Sequence, residues 1–157
     1  MNLWKKTREP EKKAPISRNE ARAQQVSEDT VKSSDPKKAI ENYLIRHAEL
    51  HLATVTSEGR PMAHTMAYVS EGPVVWIFTS PRSRKVENMR ANPAVAYTVY
   101  CAPGGVAGLT GVQMEGVAEF VTDRETVDRV MKLAFTKYPE LAAMGMSPDM
   151  LAIIRID

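Results

Sequence analysis

The feature that most constrains the fold of this chain is a series of short apolar segments joined by turn sequences. Leu52–Thr56 is rich in β-forming residues, Met62–Val69 alternates as a half-buried strand does, and Val74–Thr79 is a third apolar run. Residues 57–60 and 70–72 between these segments have turn chemistry. Three short strands joined by tight turns predict an antiparallel meander.

Strand signals continue along the rest of the chain and alternate with helix signals. An N-cap residue followed by proline, Asp35-Pro36, predicts a helix at about Pro36–Ala48. A second helix is predicted at about Arg82–Ala91, and residues 122–125 resemble a capping box that begins a third. The remaining predicted strands are Ala94–Cys101, Thr110–Val121 and Leu151–Ile156.

These elements predict a mainly β protein. Five consecutive strands, two intervening helices and a final strand are typical of a small antiparallel barrel of six strands, closed or nearly closed, with helices at its mouth and flank. The 157 residues, of which 43% are hydrophobic and 25% charged, suit one globular domain of this size. We expect that domain to span residues 35–157.

Residues 1–34 are predicted to form a flexible leader, with a short helix around Arg18–Val26, because they contain many charges and few large apolar side chains. Over residues 1–38 the 10 Lys and Arg outnumber the 6 Asp and Glu. This basic segment suits either weak attraction to polyanions or simple solvation. Because no aromatic interleaving accompanies the charge, we favour solvation and predict no nucleic-acid partner.

The chain is predicted to be cytoplasmic and to have no membrane partner. No apolar run approaches the roughly 20 residues that a membrane helix needs. The charged N-terminus also lacks the apolar core and the cleavage site of a secretory signal.

The segment Thr79–Val86 has the composition of a phosphate site. It places hydroxyl groups and the cations Arg82, Arg84 and Lys85 where a strand gives way to a helix. Unpaired amides at a helix N-terminus attract anions, and cationic side chains add charge-assisted hydrogen bonds. From the residues alone, an ordinary solvated helix start explains the segment equally well.

The order and spacing of several segments resemble a known family. These are Ala53-Thr54-Val55, Gly59-Arg60-Pro61, Phe78-Thr79-Ser80, residues 83–88, residues 92–95 and residues 113–119. Together they are similar to the flavin mononucleotide (FMN)-binding split β-barrel proteins of the pyridoxamine 5'-phosphate oxidase-like type. The resemblance extends from about Asp35 to the C-terminus, and it implies FMN as the cofactor. Some members of the superfamily use deazaflavin or haem instead.

The resemblance also implies a homodimer with cofactor sites at the subunit interface. Main-chain groups of one strand would lie along the flavin ring, two hydroxyl residues would contact the ribityl-phosphate region, two cations would hold the phosphate, and one residue would come from the second subunit. In that order, the implied residues are Met62, Ala63, His64, Thr65 and Met66; Thr79 and Ser80; Arg84 and Lys85; and Gln113.

The predicted function is that of an FMN-binding oxidoreductase with an unassigned small-molecule substrate or electron donor. No side chain need act as an acid or a base, so the sequence names no catalytic residue. Pyridoxamine phosphate oxidase activity itself is not expected, because the chain ends at Asp157 without the family's basic and aromatic substrate-binding segment. Two alternatives stay open: a non-catalytic flavin-binding or electron-storage module, and a haem-binding relative that uses His64.

A metal site is not predicted. His47 and His51 are four residues apart and would share a face if the first helix continued, as the first two ligands of a zinc site do. No third ligand with suitable spacing is visible, so surface or capping roles are favoured for both.

Overall fold

The computed structural model describes residues 35–103 and 105–157. They form six strands that close into an antiparallel barrel in the order β1-β2-β3-β6-β5-β4. This confirms the predicted mainly β, six-stranded antiparallel split barrel. The strands are β1 (Glu49–Val55), β2 (Pro61–Glu71), β3 (Val74–Thr79), β4 (Ala94–Cys101), β5 (Thr110–Val121) and β6 (Ala152–Ile156).

Four α-helices accompany the barrel in the described residues: α1 (Pro36–Arg46), α2 (Arg84–Ala91), α3 (Arg124–Lys137) and α4 (Pro139–Ala143). Capping side chains fix two of the starts. The Asp35 carboxylate accepts the N–H of Lys37 at 3.0 Å, and the Asp123 carboxylate accepts that of Thr126 at 2.8 Å. Short 3₁₀ turns at Val106–Gly108 and Pro148–Met150 complete the element list.

The helix bounds differ from the sequence-based expectation for local reasons. α1 ends at Arg46, because His47 adopts an extended conformation instead of continuing the helix. α2 begins at Arg84 and not at Arg82, because Ser83 donates its N–H to Ser80 O at 3.1 Å and closes a turn first. The short helix α4 was not predicted. The predicted leader, with its helix around Arg18–Val26, lies outside the described residues.

The barrel is split because β2 and β5 each change partner along their length. β2 pairs with β1 over residues 61–67 and with β3 over residues 68–71. β5 pairs with β4 over residues 110–117 and with β6 over residues 118–121. The barrel therefore consists of two half-sheets joined by these two strands.

Apolar side chains form two clusters on opposite sides of the barrel wall. The interior cluster contains the fully buried side chains of Leu50, Leu52, Tyr68, Ile77 and Val86, among others. The second cluster lies outside the wall, where α3 packs against β2, β3 and β6, and it includes Trp76, Phe78, Val130, Met131 and Tyr138. Each cluster removes large apolar side chains from water, which is the main stabilising term of such a domain.

The helices of the described residues are all too short or too polar to span a membrane.

Candidate functional site

The strands β2 and β3 diverge at one end of the barrel. Their pairing begins at the turn and stops at Tyr68 and Ile77. Beyond that point, the β2 edge over residues 62–67 pairs with no other strand of the described chain. An unpaired strand edge presents N–H and C=O groups that seek hydrogen-bond partners. The divergence therefore leaves a gap with main-chain groups along one side.

The helix α2 borders this gap and is tied to the barrel by polar contacts. Asn88 donates from Nδ2 to Thr54 Oγ1 at 2.9 Å, and its Nδ2 lies 3.7 Å from Met62 Sδ. Lys85 Nζ lies 3.5 Å from Thr79 Oγ1, at the end of β3. The start of α2, the end of β3 and the free edge of β2 thus border one region.

The start of α2 carries two cations, Arg84 and Lys85, and one carboxylate, Glu87. Within the described residues, neither Arg84 nor Lys85 makes a salt bridge. Among the described residues, Ser83, the N-cap residue, makes no side-chain capping bond, and its buried Oγ has no hydrogen-bond partner. Because the first N–H groups of a helix also lack intrahelical acceptors, the region is suited to an anion with several oxygen atoms.

His64 projects from β2 toward the same region. Its Nε2 lies 3.1 Å from Thr54 Oγ1. Burial lowers the pKa of His64, and the positive charges of Lys85 and Arg84 lower it further. The ring is therefore neutral at pH 7 and lies within electrostatic range of both cations.

A cavity of about 210 Å³ lies between the β1–β2 turn and α2. Arg84 and Asn88 line it, and so do two carboxylates, Glu58 and Glu87. Of the predicted phosphate-binding residues, only Arg84 reaches this cavity. These two carboxylates would repel a phosphate group, so the cavity is a poor phosphate site. The space between Arg84 and Lys85 is the better location for an anion.

The predicted site residues fall into two groups according to the face of the barrel wall. Strand alternation places Met62, His64 and Met66 on the inner side and Ala63 and Thr65 on the outer side. Met66 is 8% exposed and belongs to the interior cluster, so only its main chain is accessible. The structure brings Met62, His64, Thr79, Arg84 and Lys85 to the gap, with Ser80 exposed on the turn beside them.

Gln113 lies on the outer face, away from the gap of its own chain. It is exposed and pairs with Thr98, which pairs with His51, which in turn pairs with Thr65. One row across four strands thus joins Gln113 to Thr65. These four outward-facing residues do not line the gap of the same chain.

Sequence reasoning assigned no role to Thr54 or Asn88, which are 1% and 6% exposed. A signal was nevertheless present. Asn88 lies between Val86 and Met89, the buried apolar residues of α2. A polar side chain in such a stripe requires a buried hydrogen-bond partner, and Thr54 supplies it.

The histidines His47 and His51 do not form a site. His47 is the C-cap residue of α1, and its Nδ1 lies 2.8 Å from Tyr43 O. Its ring stacks on the Tyr43 ring, with 3.9 Å between the centroids. His51 lies on the outer face, 5.2 Å from the Tyr100 ring. Across residues 35–103 and 105–157, no three His, Cys, Asp or Glu side chains group as metal ligands would.

Solved structures of several proteins share this fold. A conserved hypothetical protein from Mycobacterium tuberculosis is 26% identical over 78% of this chain and 80% of its own, with a TM-score of 0.67. HutZ, the haem storage protein from Vibrio cholerae, is 18% identical over 77% and 88%, with a TM-score of 0.66. An FAD-binding protein from Mesorhizobium loti is 22% identical over 79% and 88%, with a TM-score of 0.59.

Among curated proteins, none matches the sequence significantly. The family comparison is decisive, because the model described as pyridoxamine 5'-phosphate oxidase matches residues 36–157, the whole barrel and its helices. The chain therefore belongs to the pyridoxamine 5'-phosphate oxidase family.

Proposed function

We propose that this protein binds FMN in the gap between β2 and α2 and works as a flavin-dependent oxidoreductase. The observation that supports this proposal best is the pair Arg84 and Lys85 at the start of α2, neither of which forms a salt bridge in the described residues. A phosphate dianion matches that charge. The solved structures with this fold include both an FAD-binding and a haem storage protein, so the fold alone does not decide which cofactor is bound.

The donors at the start of α2 fit a phosphate group. Lys85 offers an ammonium group next to the Thr79 hydroxyl, and Arg84 offers a guanidinium group. Charge-assisted bonds of this kind are about twice as strong as neutral ones.

The β2 edge fits the polar rim of a flavin ring. Its main-chain N–H and C=O groups over residues 62–67 alternate as donors and acceptors, as do the ring nitrogens and oxygens of a flavin. Bound FMN would supply hydride or electron transfer at its ring, and the protein would supply orientation and the local field. The described residues around the gap then hold the cofactor and need not move a proton.

We also propose that two copies of the chain associate through the outer face of β1, β2, β4 and β5. Its middle row pairs the small side chains Ala63, Ala53 and Ala96, and Val117 at its edge is 50% exposed. A flat surface of small side chains allows two sheets to approach closely. The outer residues Thr65 and Gln113 would then lie at the interface, where Gln113 could reach the partner's cofactor.

The phosphate assignment is tested by comparing FMN with riboflavin, which lacks the phosphate. We expect Arg84→Ala with Lys85→Ala to weaken FMN binding at least tenfold, because each charged hydrogen bond contributes about 1.5–3 kcal/mol. Riboflavin binding should not change. Lys132→Ala, which removes an exposed cation of α3, is the matched control. Flavin fluorescence titration measures the affinity of the wild type, the double variant and the control for each of the two flavins.

Equal FMN affinity in the double variant and the control would contradict the assignment, and a wild-type protein that binds no FMN would contradict the proposed cofactor.

An enzyme is distinguished from a storage module by mixing the FMN-loaded protein with NADH or NADPH under anaerobic conditions. Bleaching of the flavin absorbance supports an oxidoreductase. A flavin that no donor reduces supports the non-catalytic module.

A further inference from the structure

A chain of three polar side chains runs beneath the proposed cofactor region. Asn88 of α2 contacts Thr54 of β1, and Thr54 contacts His64 of β2. Thr54 and Asn88 are almost completely buried. Each hydrogen bond in such a chain must have a defined direction, because a buried donor without an acceptor is costly.

The Asn88 amide donates in this chain. Its Nδ2 lies 2.9 Å from Thr54 Oγ1 and 3.7 Å from Met62 Sδ. A thioether sulfur accepts hydrogen bonds but cannot donate them. Reversing the amide would set its carbonyl oxygen against that sulfur, so Thr54 Oγ1 accepts from Asn88.

The Thr54 hydroxyl proton then has one destination in the described residues. Besides Asn88, the hydroxyl contacts only His64, whose Nε2 lies at 3.1 Å. If Nε2 carried a proton, the Thr54 proton would be buried without an acceptor. Nε2 is therefore the acceptor, and the ring carries its proton on Nδ1.

The surroundings of His64 oppose a second proton on the ring. Burial lowers the pKa of His64, and the charges of Lys85 and Arg84 lower it further. Protonation would also turn Nε2 into a donor that faces the Thr54 proton. Nδ1 makes no hydrogen bond in the described residues and is not buried, so it can reach a bound molecule.

We propose that Asn88 and Thr54 fix His64 as its neutral Nδ1–H tautomer, which makes His64 a hydrogen-bond donor to the bound cofactor and not an iron ligand. A metal needs a ring nitrogen with a free lone pair. Here Nδ1 carries a proton, and the Nε2 lone pair accepts from Thr54. The donor role rests on the proposed function, whereas the tautomer follows from the protein alone.

The tautomer is measured by long-range ¹H–¹⁵N NMR of the uniformly labelled protein at pH 7.5 without cofactor. The chain has three histidines, and His64→Gln identifies the signals of His64. We expect a protonated Nδ1 and an unprotonated Nε2. Thr54→Val should release the ring toward the Nε2–H tautomer that free histidine prefers, and Thr54→Ser should preserve the wild-type pattern. A protonated Nε2 in the wild type overturns the proposal, whatever the variants do.

The donor role is measured by FMN titration. His64→Ala and Thr54→Val should each weaken FMN binding roughly 2- to 12-fold, the range for one neutral hydrogen bond, and Thr54→Ser should not. Unchanged affinity in His64→Ala overturns the donor role. If the wild type binds no FMN, the proposed function is wrong. The tautomer is still decided by the NMR measurement, which needs no cofactor.

Iron ligation is tested with haemin. We expect the wild type and His64→Ala to give the same spectrum after haemin is added, because neither ring nitrogen of His64 offers a free lone pair. A Soret shift that is present in the wild type and lost in His64→Ala overturns that part of the proposal.

Discussion

His47 illustrates how a single side chain couples this fold to pH. It lies half-buried at the end of α1, with Nδ1 2.8 Å from Tyr43 O and its ring stacked on Tyr43. Burial lowers its pKa, the hydrogen bond to Tyr43 partly compensates, and the charges of Lys137 and Arg46 lower the pKa further. The folded protein therefore holds His47 neutral more strongly than the unfolded chain does.

The consequence is a loss of stability in mild acid. Below the unfolded pKa of about 6.5 the unfolded chain takes up a proton that folded His47 resists, so the free energy of unfolding falls as the pH falls toward the folded pKa. Urea unfolding of the cofactor-free protein should therefore show lower stability at pH 5.5 than at pH 7.5. His64, whose pKa is also lowered, should add to this difference.

We expect His47→Gln to have a smaller pH difference than the wild type, and the double variant His47→Gln/His64→Gln to have a smaller one again. Carboxylates titrate at lower pH and contribute little over this interval. An unchanged difference in the double variant would show that these two rings do not couple folding to pH.

At the scale of the elements, Tyr138, the residue directly after α3, links the end of that helix to the barrel. Its hydroxyl contacts the carbonyl oxygens of Ala48, at the α1–β1 junction, and of Tyr68, at 2.8 Å. The N–H of Tyr68 donates to the same hydroxyl at 3.3 Å. The single proton of this phenol is thus shared between a carbonyl of the α1–β1 junction and one of β2, at the point where β2 changes partner from β1 to β3.

We expect Tyr138→Phe to lower the free energy of unfolding by about 1–3 kcal/mol, because it leaves buried main-chain groups without their partner. The matched control is Tyr97→Phe. Tyr97 is also buried, but in the described part of the chain its hydroxyl has only Met114 Sδ as a partner, at 3.2 Å. Urea denaturation compares the two variants. If Tyr97→Phe lowered the free energy of unfolding as much as Tyr138→Phe, the role given to the Tyr138 hydroxyl would be wrong.

The sequence predicted the elements better than their ends. All six strands were predicted because turn residues separate their apolar runs. The start of α2 was placed two residues too early, since the turn that Ser83 closes on Ser80 is not encoded in a capping pattern. The contact from Asn88 to Thr54 was missed because its partners are 34 residues apart, and only the tertiary fold joins them.

At the scale of the whole molecule, the two outer sides of the barrel differ. α3 packs over β3 and β6 and buries residues such as Trp76 and Val130. No helix of the described residues packs in the same way over the outer rows of β1 and β4, where Ala53 and Ala96 pair and Tyr100 is 54% exposed. A second copy of the chain would cover this face.

The proposed dimer can be tested at the centre of that face. Ala53 is exposed and pairs with Ala63 on one side and Ala96 on the other, so Ala53→Arg places a long cation in the middle of the interface without disturbing the interior of the barrel. We expect the wild type to sediment as a dimer at micromolar concentration and Ala53→Arg to sediment as a folded monomer. Lys132→Glu, an exposed change on α3, should leave the dimer intact.

Because Gln113 is proposed to reach the partner's cofactor, the monomeric variant should also bind FMN more weakly, although Arg84 and Lys85 are unchanged in it. Analytical ultracentrifugation and flavin titration on the same samples measure both effects. A monomeric wild type would contradict the proposed interface. A monomeric Ala53→Arg that retains full FMN affinity would show that the site is complete within one chain, since the phosphate contacts and the β2 edge would then suffice without the second copy.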